Sequence, residues 1–210
     1  MLPYVITPHG GYIHKCLERS LRKHHYAKKI YIRFIERYIT QHARAMIAIL
    51  PEEVQDLRNF GYQGPVYVVP NLNPPLAAVE ASSSDVSTST ILYLGRYDVT
   101  AKGLLFLMDT FRYLASQYPH LHLVLHGSGK DRKLLEDKVR MENIPRVTIG
   151  DPVYGIDKAN VLHRCMLYCQ PSQFEAFGLS VVEAMLAGKP VAVTPGCYIA
   201  SLLQQHGLGL

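Results

Sequence analysis

Short apolar runs alternate with longer amphipathic stretches along almost the whole chain. The runs YVIT (4–7), ARAMIAIL (43–50), VYVVP (66–70), TILYLG (90–95), LHLVLHG (121–127), VTIG (147–150), MLYCQPS (166–172) and PVAVT (190–194) predict strands. Between them, apolar residues recur at helical spacing. Residues 15–44 carry Ile30, Phe34, Ile35, Ile39 and Ala43 on one face, with bases between them. PEEVQDLRNFG (51–61) opens on a proline and two acids and stops at a glycine, the signature of a short helix. Helices are likewise expected over 103–118, 131–143, 158–165 and 180–188. Strand and helix in strict alternation is the rhythm of a parallel α/β sheet.

The alternation breaks once. NLNPPLAAVEASSSDVSTST, from residue 71, has no apolar period and is rich in Pro, Ser and Thr. It reads as a linker over 71–89 between an α/β unit at 1–70 and a second, more complete one at 90–210. Ligands of such folds bind at the carboxyl ends of the strands, so the strand–helix turns are where chemistry is expected.

Three turns of the second unit stand out. In LGRYDVTAKG (94–103) a strand ends at Gly95, and Arg96 and Lys102 lie in the loop that opens a helix. Two cations there can clamp a diphosphate, Arg96 bidentately and Lys102 as a point charge; alone they could equally be solvated bases. His126-Gly127-Ser128-Gly129 also follows a strand, though one G-x-G is weak evidence. In PSQFEAFGLSVVEAMLAGKP (171–190) two glutamates, Glu175 and Glu183, flank a Phe-Gly-Leu-Ser turn before a helix. A helix N-terminus favours anions and Gly178 lets backbone approach a phosphate. The carboxylates would then face hydroxyl-rich parts of a ligand. The competing reading of Glu183 is a capping box, with Ser180 as the cap and Glu183 folding back on it.

Composition narrows the class. The chain has 210 residues, 48% of them hydrophobic and 19% charged, as expected of a soluble globular protein. No run approaches the ~18–20 apolar residues of a membrane span, and MLPYVITPHGG is not patterned as a secretory signal. Cys16, Cys165, Cys169 and Cys197 lack C-x-x-C spacing and are expected as reduced thiols in a cytosolic protein. The net charge of +5 is uneven: Lys15–Arg44 holds nine Lys/Arg against Glu18 and Glu36. A basic amphipathic helix there can lie on anionic lipid at an inner membrane face. Equally, it can be a solvated face whose apolar stripe packs on a sheet. No recognition motif or aromatic platform points to nucleic acid.

LGRYDVTAKG, LHLVLHGSGKDRKLLE and PSQFEAFGLSVVEAMLAGKPVAVT, in this order and spacing, resemble the nucleotide-sugar-binding half of retaining GT-B glycosyltransferases of the family 4, or group 1, type. VITPHGGY, the basic helix, ARAMIAIL and VYVVPN resemble the closing part of that family's acceptor-side domain. The resemblance implies two Rossmann-like parallel-sheet domains, both incomplete in this chain. The implied activity is metal-independent, retaining sugar transfer from a nucleotide-diphospho-sugar to a polysaccharide or lipid-linked acceptor, with no cofactor. Arg96 and Lys102, with Gly95 and Gly127 beside them, would bind the diphosphate and stabilise the departing nucleotide. Glu183 would hold the ribose and Glu175 the donor sugar, with the amides of Phe177, Gly178 and Leu179 facing sugar and phosphates. His9 reads as an acceptor contact or as an ordinary turn residue. No Asp-x-Asp occurs to suggest a metal-bridged diphosphate, and no metal ligands are expected. With both ends read as truncated, the polypeptide alone is expected to transfer poorly. The rival readings are a non-catalytic nucleotide-sugar-binding remnant or partner subunit, and another GT-B enzyme such as a sugar-nucleotide epimerase.

Overall fold

A computed structural model describes residues 2–12, 25–72 and 89–208. The predicted linker lies almost wholly outside these residues, as does the first part of the basic segment. The chain divides into two units: Met1–Leu72 with Phe174–Phe177 and Ser201–Leu210, and Asn73–Gln173 with Gly178–Ala200.

The first unit holds a three-stranded parallel sheet of β1 (Val5–Ile6), β2 (Ala45–Ala48) and β3 (Val66–Val68), in that order. β1 is shorter than the YVIT run predicts: Val5 is half exposed, so only the half of that run facing the sheet has burial to gain. Between β1 and β2 the helix α1 (His25–Tyr31) passes through a π-helical stretch, Ile32–Glu36, into α2 (Arg37–Gln41). Ile30, Phe34, Ile35 and Ile39, the predicted sheet-packing stripe, are all exposed, so the packing reading of that stripe is corrected; Ala43 alone of the set is buried. The helix α3 (Pro51–Phe60) starts with Pro51 in its first turn and stops where Gly61 turns left-handed at φ 107°. Met46, Ala48, Leu57 and Tyr62 form the core of this unit.

The second unit is a five-stranded, all-parallel sheet built from β4 (Thr90–Leu94), β5 (His122–His126), β6 (Val147–Gly150), β7 (Leu167–Gln170) and β8 (Val191–Val193). Its strand order is β6-β5-β4-β7-β8. The chain therefore builds outward from β4 on one side, then returns to build on the other. The connections are α4 (Val99–Lys102), α5 (Leu104–Gln117), α6 (Arg132–Met141), α7 (Gly155–Arg164) and α8 (Leu179–Leu186); after β8 the chain enters α9 (Ile199–Gln205), which belongs to the first unit from Ser201 on. β4 is buried on both faces, which is why TILYL reads as a nearly unbroken apolar run, whereas β5 buries Leu123 and Leu125 on one face only. Leu104, Met108 and Phe111 of α5 pack on Tyr93, Leu123 and Leu125. At about 25 cal/mol per Å² of apolar surface, each such side chain adds roughly 2 kcal/mol against the entropy of ordering it. No helix among the described residues is long and apolar enough to cross a membrane.

Candidate donor site at the carboxyl edge of the second sheet

The reversal in strand order falls between β4 and β7, and it opens a crevice outside their carboxyl ends. Two of the loops singled out in the sequence leave the sheet there: Gly95–Lys102 after β4, and Pro171–Leu179 after β7. The third, His126–Gly129, follows β5 on the other side of β4. The ladder runs on into these loops, since Gly95 N–H donates to the His126 carbonyl at 3.0 Å and Gly127 N–H to Gly150 at 3.3 Å.

Buried tyrosines pin this edge. The Tyr93 hydroxyl donates to the Arg96 carbonyl at 2.9 Å. Tyr97, fully buried, has its hydroxyl 2.6 Å from the Gly150 carbonyl and 3.0 Å from that of Leu125. Burial pushes the Tyr97 phenol up to about 12, with nearby Arg132 opposing that rise. The Tyr168 hydroxyl lies 3.1 Å from the Leu94 carbonyl and 2.7 Å from Oε1 of Gln170, whose amide nitrogen donates to Ser172. These bonds hold the loop backbone while leaving the Arg96 side chain exposed, with no hydrogen bond or ion pair to it among the described residues.

Lys102 ends α4, whose first turn is capped by Asp98 accepting from Ala101 N–H at 2.9 Å. It is only 8% exposed, although no local pattern marks this predicted phosphate cation for burial. Gly103 follows at φ 63°, with a Cβ position 2.0 Å from the Pro171 carbonyl, so no side chain fits there. Gln173 N–H donates to the Ala101 carbonyl at 2.9 Å. Thus the loop carrying the cations is seated directly on the end of β7. Gly127 has a similar explanation: a Cβ would stand 1.8 Å from the Gly95 carbonyl. Backbone-to-backbone packing by itself already demands glycine there.

The glutamate loop differs from the capping reading. The helix begins at Leu179, one residue before the expected start, with Gly178 as its N-cap at φ 76° and no side-chain cap. Ser180 is therefore inside the first turn and caps nothing. Glu183 does not fold back on it. It is nearly buried, and its Oε1 accepts from Nζ of Lys158 on α7 at 2.5 Å. Nothing in the sequence links these two residues, 25 positions apart. Phe177 is buried and Leu179 half exposed. Glu175 forms an isolated β-bridge and belongs, with Phe174–Phe177, to the first unit.

In the first unit His9 is exposed in the Pro8–Gly11 turn at φ 48°. That turn is fixed from below by buried Glu53, which accepts from Gly10 N–H at 2.6 Å and Ile49 N–H at 2.7 Å. Glu53 was not anticipated as a turn anchor; in sequence it is simply the second acid of a helix start.

Two parallel α/β units, the second with its loops gathered at a topological switch point, have the architecture of GT-B glycosyltransferases. The solved structure of Anabaena HepE in complex with UDP-glucose matches with a TM-score of 0.74 at 22% identity, over 95% of this chain and 55% of that one. WaaG, a glycosyltransferase involved in lipopolysaccharide biosynthesis, matches with a TM-score of 0.69 at 17% identity, over 92% of this chain and 57% of that one. The chain belongs to the group 1 glycosyl transferases: the model of that family matches residues 88–209, and the glycosyltransferase family 4 model matches residues 1–72. The phosphatidyl-myo-inositol mannosyltransferase of Mycobacterium tuberculosis is 33% identical over 106 residues, 50% of this chain and 28% of the relative. The chain thus aligns with under a third of the length of that curated relative.

Proposed function

We propose that residues 89–208 bind the nucleotide-diphospho-sugar donor of a retaining, metal-independent transfer to a polysaccharide or lipid-linked acceptor. The observation that carries this reading is the seating of the Arg96–Lys102 loop on the end of β7, where Gln173 N–H bonds the Ala101 carbonyl and Gly103 packs against Pro171, at the switch point between β4 and β7. Departure of a nucleoside diphosphate builds negative charge on the leaving oxygen. Lys102 and the N-terminus of α8 are held by the fold, and the exposed Arg96 side chain can close on the diphosphate, so positive poles meet the developing charge. Cations of the chain supply this stabilisation, so the reading needs no bridging metal. Glu183 takes the ribose hydroxyls, and Glu175 those of the donor sugar, as the family resemblance implies.

Titration calorimetry with UDP, GDP and ADP tests it. Removing a charge-assisted phosphate contact costs about 2 kcal/mol, so Arg96→Ala is expected to weaken the preferred nucleotide roughly 30-fold. Unchanged affinity in a folded Arg96→Ala protein, or no saturable binding by folded wild type, would sink the donor-site reading.

The exposed Ile30, Phe34, Ile35 and Ile39, set in a segment of strong positive charge, support peripheral contact with anionic lipid. Co-sedimentation with phosphatidylglycerol vesicles but not with phosphatidylcholine vesicles is expected. Equal recovery with both would count against it.

A further inference from the structure

We propose that Lys158 is a positioning residue that gives the donor site its preference for ribose over deoxyribose, acting through Glu183. The inference rests on the reading above that Glu183 meets the ribose. Glu183 sits on α8 between Val181 and Ala184, both completely buried, and is itself 8% exposed. A carboxylate so far out of water keeps one orientation only if something replaces its hydration. Lys158, in the first turn of α7, does so with a single contact to Oε1 at 2.5 Å. The second oxygen, Oε2, receives no protein hydrogen bond among the described residues.

One oxygen is pinned and the other open. That arrangement restricts rotation about the carboxylate bond and leaves one acceptor for a ligand hydroxyl. An unpinned glutamate would turn to water or to a diol with no fixed aim, and ordering it on binding would cost side-chain entropy. A site built to bond a hydroxyl rejects the analogue that lacks it, because the buried acceptor is then left unsatisfied. Lys158 is thus a lever on sugar discrimination more than on phosphate affinity. No sequence motif marks it, and the family resemblance assigned it no role.

The test measures affinities of the full chain for UDP, GDP and ADP, and for their 2′-deoxy and 3′-deoxy counterparts. Wild type, Lys158→Met, Lys158→Arg and Glu183→Gln are compared, each checked for a cooperative melt. Wild type should prefer the ribonucleotide over one of the two deoxy forms by roughly 10- to 100-fold, the value of a hydrogen bond to a charged acceptor. Lys158→Met should reduce that preference to about 3-fold or less while leaving the deoxynucleotide's own affinity nearly unchanged. Lys158→Arg, which restores the pair, should recover most of it, and also serves if Lys158→Met fails to fold. The double variant Lys158→Met/Glu183→Gln should discriminate no worse than either single one, since both act on one contact.

If Lys158→Met keeps the preference that Glu183→Gln loses, Lys158 is only a packing partner, and the ribose role of Glu183 survives. If Glu183→Gln keeps it, the donor-site reading itself is wrong. An equal loss of ribo- and deoxynucleotide affinity in Lys158→Met would make Lys158 a phosphate cation and overturn the proposal.

Discussion

Gly127→Ala separates two reasons for a glycine in the loop after β5. A Cβ there would lie 1.8 Å from the Gly95 carbonyl oxygen, 3.0 Å from its carbon and 3.2 Å from the Tyr97 ring. Real Cβ atoms essentially never come within 3.0 Å of a non-bonded heavy atom, so the end of β4 must retreat by more than an ångström. Neither neighbour yields easily. Gly95 is held to the His126 carbonyl, and the following residue, Arg96, is held by the Tyr93 hydroxyl. Overpacking of this kind costs about 1–3 kcal/mol, and each of two disrupted hydrogen bonds adds about 1 kcal/mol, for a total of about 3–5 kcal/mol. For a chain of this size that corresponds to a fall in Tm of roughly 10 °C.

Gly155→Ala is the matched control. It has open space around its Cβ position, but φ is +52°, so only the left-handed penalty of about 1 kcal/mol applies. Urea denaturation followed by circular dichroism reads both variants against wild type. The packing argument is refuted if Gly127→Ala lies within about 1 kcal/mol of wild type. Should that variant also lose nucleotide affinity, the glycine serves a ligand's close approach instead.

The remaining predictions concern titrating groups. Tyr97, through burial, and Tyr12, through burial and then the Glu36 carboxylate, are raised to about 12 in the folded chain. Unfolded tyrosines lose their protons near pH 10, so between pH 10 and 12 the unfolded state binds fewer protons and stability falls as pH rises. The slope is up to about 1.4 kcal/mol per pH unit for each of the two residues. Urea midpoints across that range should drop, and Tyr97→Phe should flatten the fall; a midpoint independent of pH up to 12 would contradict the burial argument. Burial also raises the Cys165 thiol to about 11 and Cys169 to about 12, so at pH 8 neither is a thiolate. Mass spectrometry after brief treatment with a disulfide reagent should find both unmodified in native protein and modified in urea. Fast native labelling of either would show the strand end to be open.

The parallel sheet was legible because β4, β5 and β6 are short apolar runs between helices of clear period, and VTIG was placed to the residue. The candidate loops were legible too, since cations, glycines and acids at strand ends have few structural uses in common. What failed did so for tertiary reasons. Ser180 has the spacing of a cap, but Gly178 can take a positive φ at no cost and starts the helix one residue before the expected start. The stripe of Ile30, Phe34, Ile35 and Ile39 has core periodicity yet stays exposed, because period reports a face and not what covers it. The Lys158–Glu183 pair and the collision that reserves position 127 for glycine arise only when α7 meets α8 and β5 meets β4. Local pattern carries no trace of such meetings.

The π-helical stretch has a practical consequence for mapping the basic segment. Within an α-helix each residue advances about 100° around the axis, so a four-residue ruler keeps to one side. Between Ile32 and Glu36 the bonding skips five, which inserts one residue into the count. A helical wheel drawn through 25–41 as one helix therefore assigns the wrong side to everything beyond the stretch. Deleting a single residue there would restore uniform winding and leave His25–Tyr31 and Arg37–Gln41 facing as they do now. Labels placed at spacings of five, such as 30 with 35 and 34 with 39, are the pairs that share a side.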